Sequence, residues 1–498
     1  MKRGGRDRQQ RRGRRGKANR PNTARRLRWW EVPAGLVVIT GWAYLLLGPS
    51  LAVGNRAQIS FPRLEIRTDP SGSQFVQTDA AALRAAFEHA GLPDPSDLNG
   101  ADPVPVAILL RFAREWVDTR SVAALGQLGQ VYQALQEHEA ALGCFAAAAQ
   151  LDTSDVRWRY GLGIECQAMA LTDLAIDALD QARRMDPDYP TTYARLGALY
   201  LDRKDFERAE AQYNEYRMRL PNRSLGYVGL GRVALARGDE VRAKELLSTA
   251  VRVMPNDFLA HRLLGRALAA LGRHELARRE QDLAERLPQY SGWLSFDPRL
   301  QESNALANTQ GYLTNQMRAA ATGEDWATFV HVAELLLRRR PQDFSTLGNL
   351  AEAYRKLGRL DKAEALADRA IELKPDGAAL YCVRAVIAFQ QRDFSAVHEA
   401  LEVAEALDPQ LARIYDLRGR ALFLQQRPAE AITAMQRAVA LDTSAGNPRL
   451  VLAEMFRQTG DTAEALRLLS DLLELDPHNA KARQLLDAIR VGSAGPDG

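Results

Sequence analysis

The sequence predicts an all-α fold, an α-solenoid of about ten helix-turn-helix units preceded by one transmembrane helix, and three observations carry this. A pattern of small residues and helix stops recurs every 34 residues along most of the chain. Within each period apolar residues recur at three and four, as in Leu196, Leu199 and Tyr200, then Phe206, Ala209 and Tyr213, marking two amphipathic helices. Near the amino terminus, 22 residues without a charge stand together, from Val32 to Val53. A hydrophobic content of 46% beside 26% charged residues excludes a disordered or fibrous chain among these 498 residues.

Residues 1–31 read as a basic, disordered cytoplasmic tail. The first 30 carry 13 Lys and Arg against Asp7 alone, so the remainder, with 53 bases and 61 acids, is net acidic. This charge could bind RNA or anionic lipid, but the run has no aromatic residue before Trp29, so its simplest role is to set topology and no specific nucleic acid is expected. Residues 32–53 are long enough, at 1.5 Å per residue, to cross a hydrocarbon core of about 30 Å. The basic excess upstream keeps the amino terminus cytoplasmic and places everything after Val53 outside the cytoplasm. A cleaved signal peptide, ending near Ala52-Val53-Gly54, is the competing reading, which a basic region of about 30 residues disfavours. Arg outnumbers Lys 58 to 8, which points to a bacterial source of high genomic GC, hence a single-pass inner-membrane protein with a periplasmic body.

Residues 54–121 form a spacer with amino-terminal capping helices: TDAAALRAAFEHAGL and VPVAILLRFAREWVD read as helices separated by the Pro/Asp/Gly-rich PDPSDLNGADP. The first array, 122–289, has five units. Leu-Gly pairs fall at Leu128-Gly129, Leu162-Gly163, Leu196-Gly197, Leu230-Gly231 and Leu264-Gly265, each followed twelve residues later by Ala141, Ala175, Ala209, Ala243 or Ala277. Thr153, Pro187, Pro221, Pro255 and, one residue early, Pro288 close the units. Residues 290–309 break the period by 18 residues and read as an inter-array loop, with Trp293 and Phe296 as candidate inter-array contacts. The second array, 310–477, repeats the period with weaker letters: Met317, Ala351, Ala385, Gly419 and Ala453, closed by Pro341, Pro375, Pro409, Thr443 and Pro477. Residues 478–491 supply a terminal capping helix, and 492–498 a disordered tail. The helix count of the arrays is 20, with no strand.

These residues resemble the tetratricopeptide repeat family, and the resemblance covers about 340 of the residues between 122 and 477. It implies helix pairs stacked into a right-handed superhelix that holds peptides or partner domains in a concave groove. Carried onto this register, the groove-facing places hold Arg195, Arg232, Arg262 and Arg266 in the first array, and Arg318, Arg413 and Arg420 beside Glu352, Asp416 and Glu454 in the second. Such a stripe suits an acidic segment or a carboxylate through bidentate guanidinium contacts, against the plain alternative of a solvated face. The Lys/Asn clamp by which some members seize chaperone carboxyl termini is not matched. Solenoids of this kind also self-associate, so a homo-oligomer is compatible with the sequence.

Enzymatic signatures fail in context. Gly229-Leu230-Gly231 with Ala234 has the letters of a dinucleotide fingerprint but sits inside a repeat helix, and the sequence lacks GxxxxGK[ST], GxSxG, HExxH and CxxCH. No cofactor and no metal are expected. Cys166 takes the buried place that Tyr132 and Tyr200 hold in neighbouring units, so it reads as a packed thiol; Cys144, on the preceding helix, is the one partner a disulfide could use. The resulting expectation is a non-enzymatic, membrane-anchored interaction scaffold or assembly factor. The alternatives are a regulatory subunit of a membrane-bound transferase or secretion machine, and a cleaved soluble periplasmic adaptor.

Overall fold

The computed structural model describes residues 61–62, 64–70, 72–95, 101–287, 297–442, 446–475 and 479–493. The basic tail, the apolar segment 32–53, and Trp293 with Phe296 lie outside the described residues. Among the described residues no helix is long and apolar enough to cross a membrane.

The first element among the described residues is a small hairpin that the sequence reading missed. Strands β1 (Glu65–Thr68) and β2 (Gln74–Gln77) pair antiparallel, with Glu65 opposite Gln77 and Thr68 opposite Gln74. Gly72, at φ +79°, allows the tight turn, and Asp69 closes it by accepting from the Ser73 backbone N–H. Helix α1 (Ala80–Ala90) is capped by Asp79 and stops at left-handed Gly91, burying Leu83, Ala86, Phe87 and Ala90. Helix α2 (Pro103–Thr119) starts with Asp102 as cap and Pro103 in the first turn, and buries a full stripe from Val106 to Val117 against the first array. The spacer expected as helices is therefore two strands plus two helices.

The arrays follow as helix pairs. In the first they are α3 (Val122–Ala134) with α4 (His138–Leu151), α5 (Val156–Ala168) with α6 (Thr172–Met185), and α7 (Pro190–Asp202) with α8 (Phe206–Arg219). Then come α9 (Ser224–Arg237) with α10 (Glu240–Val253), and α11 (Phe258–Ala270) with α12 (His274–Arg286). In the second they are α14 (Gln310–Thr322) with α15 (Trp326–Arg339), α16 (Phe344–Lys356) with α17 (Leu360–Leu373), and α18 (Ala378–Gln391) with α19 (Phe394–Leu407). The last are α20 (Ala412–Leu424) with α21 (Pro428–Leu441), and α22 (Gly446–Thr459) with α23 (Thr462–Leu475); α24 (Ala480–Ser493) covers the end. Starts at 122, 156, 190, 224 and 258, then 310, 344, 378, 412 and 446, keep the 34-residue period in both arrays.

Small residues set the spacing inside each pair. A Cβ added at Gly163 would lie 2.6 Å from Leu179 Cγ, and one at Gly231 would lie 2.7 Å from Leu247 Cγ. Larger side chains there would force the helices apart. The hairpin turn is also constant: one residue per unit has positive φ, at 136, 170, 204, 238 and 272, then 324, 358, 392, 426 and 460. Glycine supplies it at Gly238, Gly272, Gly358 and Gly460, whereas Ala170 and Lys204 take it with a side chain. First helices of successive units approach one another, as α3 does α5 and α9 does α11, more closely than second helices do, so the first helices line the inner, concave wall.

The insertion between arrays corrects the sequence reading most. Within the stretch expected as a loop, α13 (Pro298–Ala307) forms and packs against α3 and α2. Its Ala307 joins the core of the first array. The arrays hold the 20 helices expected and no strand; α1, α2, α13 and α24 bring the total among the described residues to 24, and both strands lie in the spacer.

Candidate protein-binding groove

The concave wall of units one to three is built from α3, α5 and α7, which bring Gln133, Tyr160, Glu165 and Arg195 to one face. Tyr189, capping α7, completes it. Into this wall the chain inserts Asp297, the residue that caps α13. Asp297 Oδ2 accepts from the Tyr160 hydroxyl at 2.8 Å and from Arg195 Nη2 at 2.7 Å and Nε at 3.1 Å. Oδ1 accepts from the Tyr189 hydroxyl at 2.7 Å and the Leu300 backbone N–H at 3.3 Å. The carboxylate is fully buried, and Arg195 is only 7% exposed.

The electrostatics follow from that enclosure. Burial disfavours the charge on Arg195, yet the facing Tyr160 and Asp297 oxygens outweigh it and hold its proton more firmly than usual. Burial, with the Asp297 charge adding, pushes the Tyr189 phenol up, so it stays a donor. Burial likewise raises Tyr160. Removing one member of such a buried pair costs about 3–5 kcal/mol, because the other charge is left uncompensated.

A second polar chain runs beside the first. The Ser303 hydroxyl donates to Gln133 Oε1 at 2.8 Å, Gln133 Nε2 donates to Glu165 Oε1 at 2.6 Å, and His138 Nδ1 meets Glu165 Oε2 at 2.7 Å. Burial raises the Glu165 carboxyl above the usual range, with His138 and Gln133 pulling the other way. Arg299 pairs with Asp186 at 2.5 Å and lies over the Tyr189 ring, 3.9 Å from its centroid.

The residues singled out by sequence meet different fates. Arg195 stands on the concave wall, but its guanidinium is spent on Asp297, so it is a closed position and not an open groove contact. Arg232 is half-buried, 3.9 Å from Asp202. Arg262 is exposed, its guanidinium 4.9 Å from the Phe258 ring centroid, and Arg266 is exposed one turn further along α11. In the second array Arg318 and Arg413 are exposed, whereas Arg420 is held by Asp416 at 2.9 Å. Tyr160, Tyr189, Asp297, Gln133 and Ser303 were not singled out. The Asp297-Pro298 pair carried the signal, since aspartate before a first-turn proline is a helix start. Cys144, Cys166 and Cys382 are all buried free thiols, so the disulfide alternative for the first two is not formed. Among the described residues no group of three His, Cys, Asp or Glu is gathered as for a metal ion.

Stacked helix pairs with a continuous inner wall define a helical-repeat binding scaffold. Models of the tetratricopeptide repeat match residues 171–227 and 422–489, 344–376, and 228–291 and 382–448, together more than half of the chain. The chain belongs to the tetratricopeptide repeat family. No curated protein matches it in sequence. Similar solved structures include yeast Tom70, 13% identical over 75% of this chain and 96% of that one, with a TM-score of 0.34. MamA from Desulfovibrio magneticus RS-1 is 21% identical over 34% of this chain and 95% of its own, TM-score 0.29. Pseudomonas aeruginosa PilF is 21% identical over 46% and 97%, TM-score 0.31.

Proposed function

We propose that this protein is a scaffold or assembly factor that binds partner proteins or peptides along its concave wall, anchored by residues 32–53 with the arrays on the extracytoplasmic side of a bacterial inner membrane. The anchor reading rests on the uncharged run and the basic residues before it. The binding reading rests on family membership and on one observation: Arg262 and Arg266 stand exposed on the first helix of unit five, beyond the stretch that α13 covers. Paired guanidinium groups on an inner wall suit an acidic segment. The protein works by binding, not by chemistry of its own.

The test is a photo-crosslinking residue at position 266 in cells, with an exposed second-helix position, 245, as control. Adducts at 266 that disappear when Arg232 and Arg262 become Glu, with none at 245, support a basic-groove scaffold. Equal adducts at both positions, or no change on charge reversal, exclude it. Protease treatment of cells before and after opening the outer envelope tests the topology: digestion only after opening supports the periplasmic placement, and protection until the inner membrane dissolves overturns it.

A further inference from the structure

We propose that α13 is a displaceable internal ligand: Asp297 and the short helix it caps occupy, in cis, a site on units one to three that also takes a partner segment of the same chemistry. That chemistry is an aspartate at the amino terminus of a short helix. The proposal rests on the reading that the concave wall binds partners, and adds the partner class and a control on access.

The pocket and its occupant come from different parts of the chain. Tyr160, Tyr189 and Arg195 lie within the repeats, whereas Asp297 lies in the insertion, 137, 108 and 102 residues away. The three wall residues direct four hydrogen bonds onto one carboxylate, using both oxygens, and a fifth comes from the occupant's own Leu300 N–H. That is a receptor for an anion with a defined orientation, and a helix started by aspartate presents that group. The array keeps its 34-residue spacing across units one to five, so its register is not altered to take the insert.

The occupant is held more by polar contacts than by apolar area. Asp297, Leu300, Ser303 and Ala307 face the wall, while Gln301, Glu302 and Ala305 are exposed. Only Leu300 and Ala307 are buried apolar residues on α13, with Leu306 half-buried. Repeat helices pack on both a partner and the next unit; α13 packs mainly on α3, with a smaller contact to α2 of the spacer. The fit is also incomplete, because Arg299 Nη1 is buried without a hydrogen-bond partner among the described residues. A competing segment replaces polar contacts like for like and covers the places that Leu300 and Ala307 leave.

Displacement reaches the second array. At the far end of α13, the Asn308 carbonyl accepts from Arg339 Nη1 at 2.9 Å, and the same nitrogen donates to Asp102 of the spacer at 2.8 Å. Arg339 ends α15, so one guanidinium joins spacer, insert and second array. Removing α13 from the wall breaks one side of that junction.

The experiment uses the full chain in detergent and a labelled peptide of residues 297–309, followed by fluorescence anisotropy and hydrogen exchange. Asp297→Ala should empty the pocket and bind the peptide at least tenfold more tightly than the unaltered chain. The peptide with Asn in place of Asp, and Asp297→Ala combined with Arg195→Met, should lose that gain. If Asp297→Ala gains no affinity while α3–α8 keep their exchange protection, α13 is a fixed strut and the proposal falls. If protection across α3–α8 collapses in Asp297→Ala, α13 is an integral part of the array and the proposal falls equally. Crosslinking at position 266 is independent: adducts there without peptide binding overturn the internal-ligand proposal alone.

Discussion

Replacing Gly229 by Ala should uncouple units three and four. A methyl carbon built on Gly229 lies 2.2 Å from Tyr213 Cδ1 and 2.3 Å from Cε1, where ordinary contact begins near ~3.5 Å. The ring has nowhere to retreat. Tyr213 is fully buried among Leu201, Ala209, Leu230 and Val233, and on its other side a Cβ at Gly197 would already sit 3.1 Å from it. Overpacking of this kind costs about 1–3 kcal/mol, and a rigid ring between two glycines belongs at the upper end. Alanine returns about 1 kcal/mol of helix propensity, leaving a net loss of about 2 kcal/mol. Stability in a stacked array is a sum over neighbours, so the loss concentrates at this interface. Hydrogen exchange reads it directly: amides of α8 and α9 should exchange about 30-fold faster, while those of α20 and α21 stay unchanged. Gly311→Ala is the control, since nothing lies within 4 Å of its Cβ position. Exchange in α8 and α9 within threefold of the parent would refute the close-approach argument.

Other outcomes follow from individual residues. The Tyr213 hydroxyl is buried without a hydrogen-bond partner among the described residues, so Tyr213→Phe should stabilise by up to about 1 kcal/mol in urea titration. Ala170 holds φ +58° in a hairpin turn where four units use glycine, so Ala170→Gly should stabilise by a few tenths to about 1 kcal/mol despite its unfolded-state entropy, again by urea titration. His261 Nδ1 donates to Glu280 Oε2 at 2.7 Å, and this contact, opposed by burial and aided by the Pro255 carbonyl, raises its pKa. Its stabilising contribution is therefore complete below the unfolded value of about 6.5 and is lost as pH rises through the higher folded value. The melting difference between parent and His261→Gln should shrink accordingly on raising the pH. Burial pushes the Cys166 thiol up to about 12 and Cys382 to about 11, so a thiol reagent at pH 8 should label none of the three cysteines until the chain is denatured.

The repeats were legible because each unit repeats a steric requirement at a fixed distance. Leu162-Gly163 and Leu230-Gly231 mark places where a leucine of the second helix presses on the first, and only a small residue satisfies that. Helix α13 was not legible by the same means. It is ten residues long, and its inward face mixes Asp297 and Ser303 with Leu300 and Ala307, which blurs the apolar period. Its start was written in Asp297-Pro298, but the break in the 34-residue period led to the whole stretch 290–309 being read as a loop. The β1–β2 hairpin was also written locally, as EIRT and QFVQ around a DPSGS turn, yet four-residue strands with mostly exposed residues give little hydrophobic contrast. Arg195 lies on α7, where its guanidinium meets Asp297. Its carboxylate partner could not be read, because a contact across 102 residues leaves no local trace.

That long contact has a consequence for the order in which the chain is made. Each repeat finds its neighbour about one period away and can fold as it emerges. The wall of units one to three is thus assembled well before its insert exists, since Asp297 follows Tyr160 by 137 residues and Arg339 follows Asp102 by 237. Arg195, the last pocket residue to be made, precedes Asp297 by 102 residues, so at about 5–20 residues per second a nascent chain carries the open Tyr160–Arg195 pocket for about 5–20 seconds before its own aspartate arrives. During that interval the newborn protein leaves open the Tyr160, Tyr189 and Arg195 side chains that Asp297 covers in the finished one.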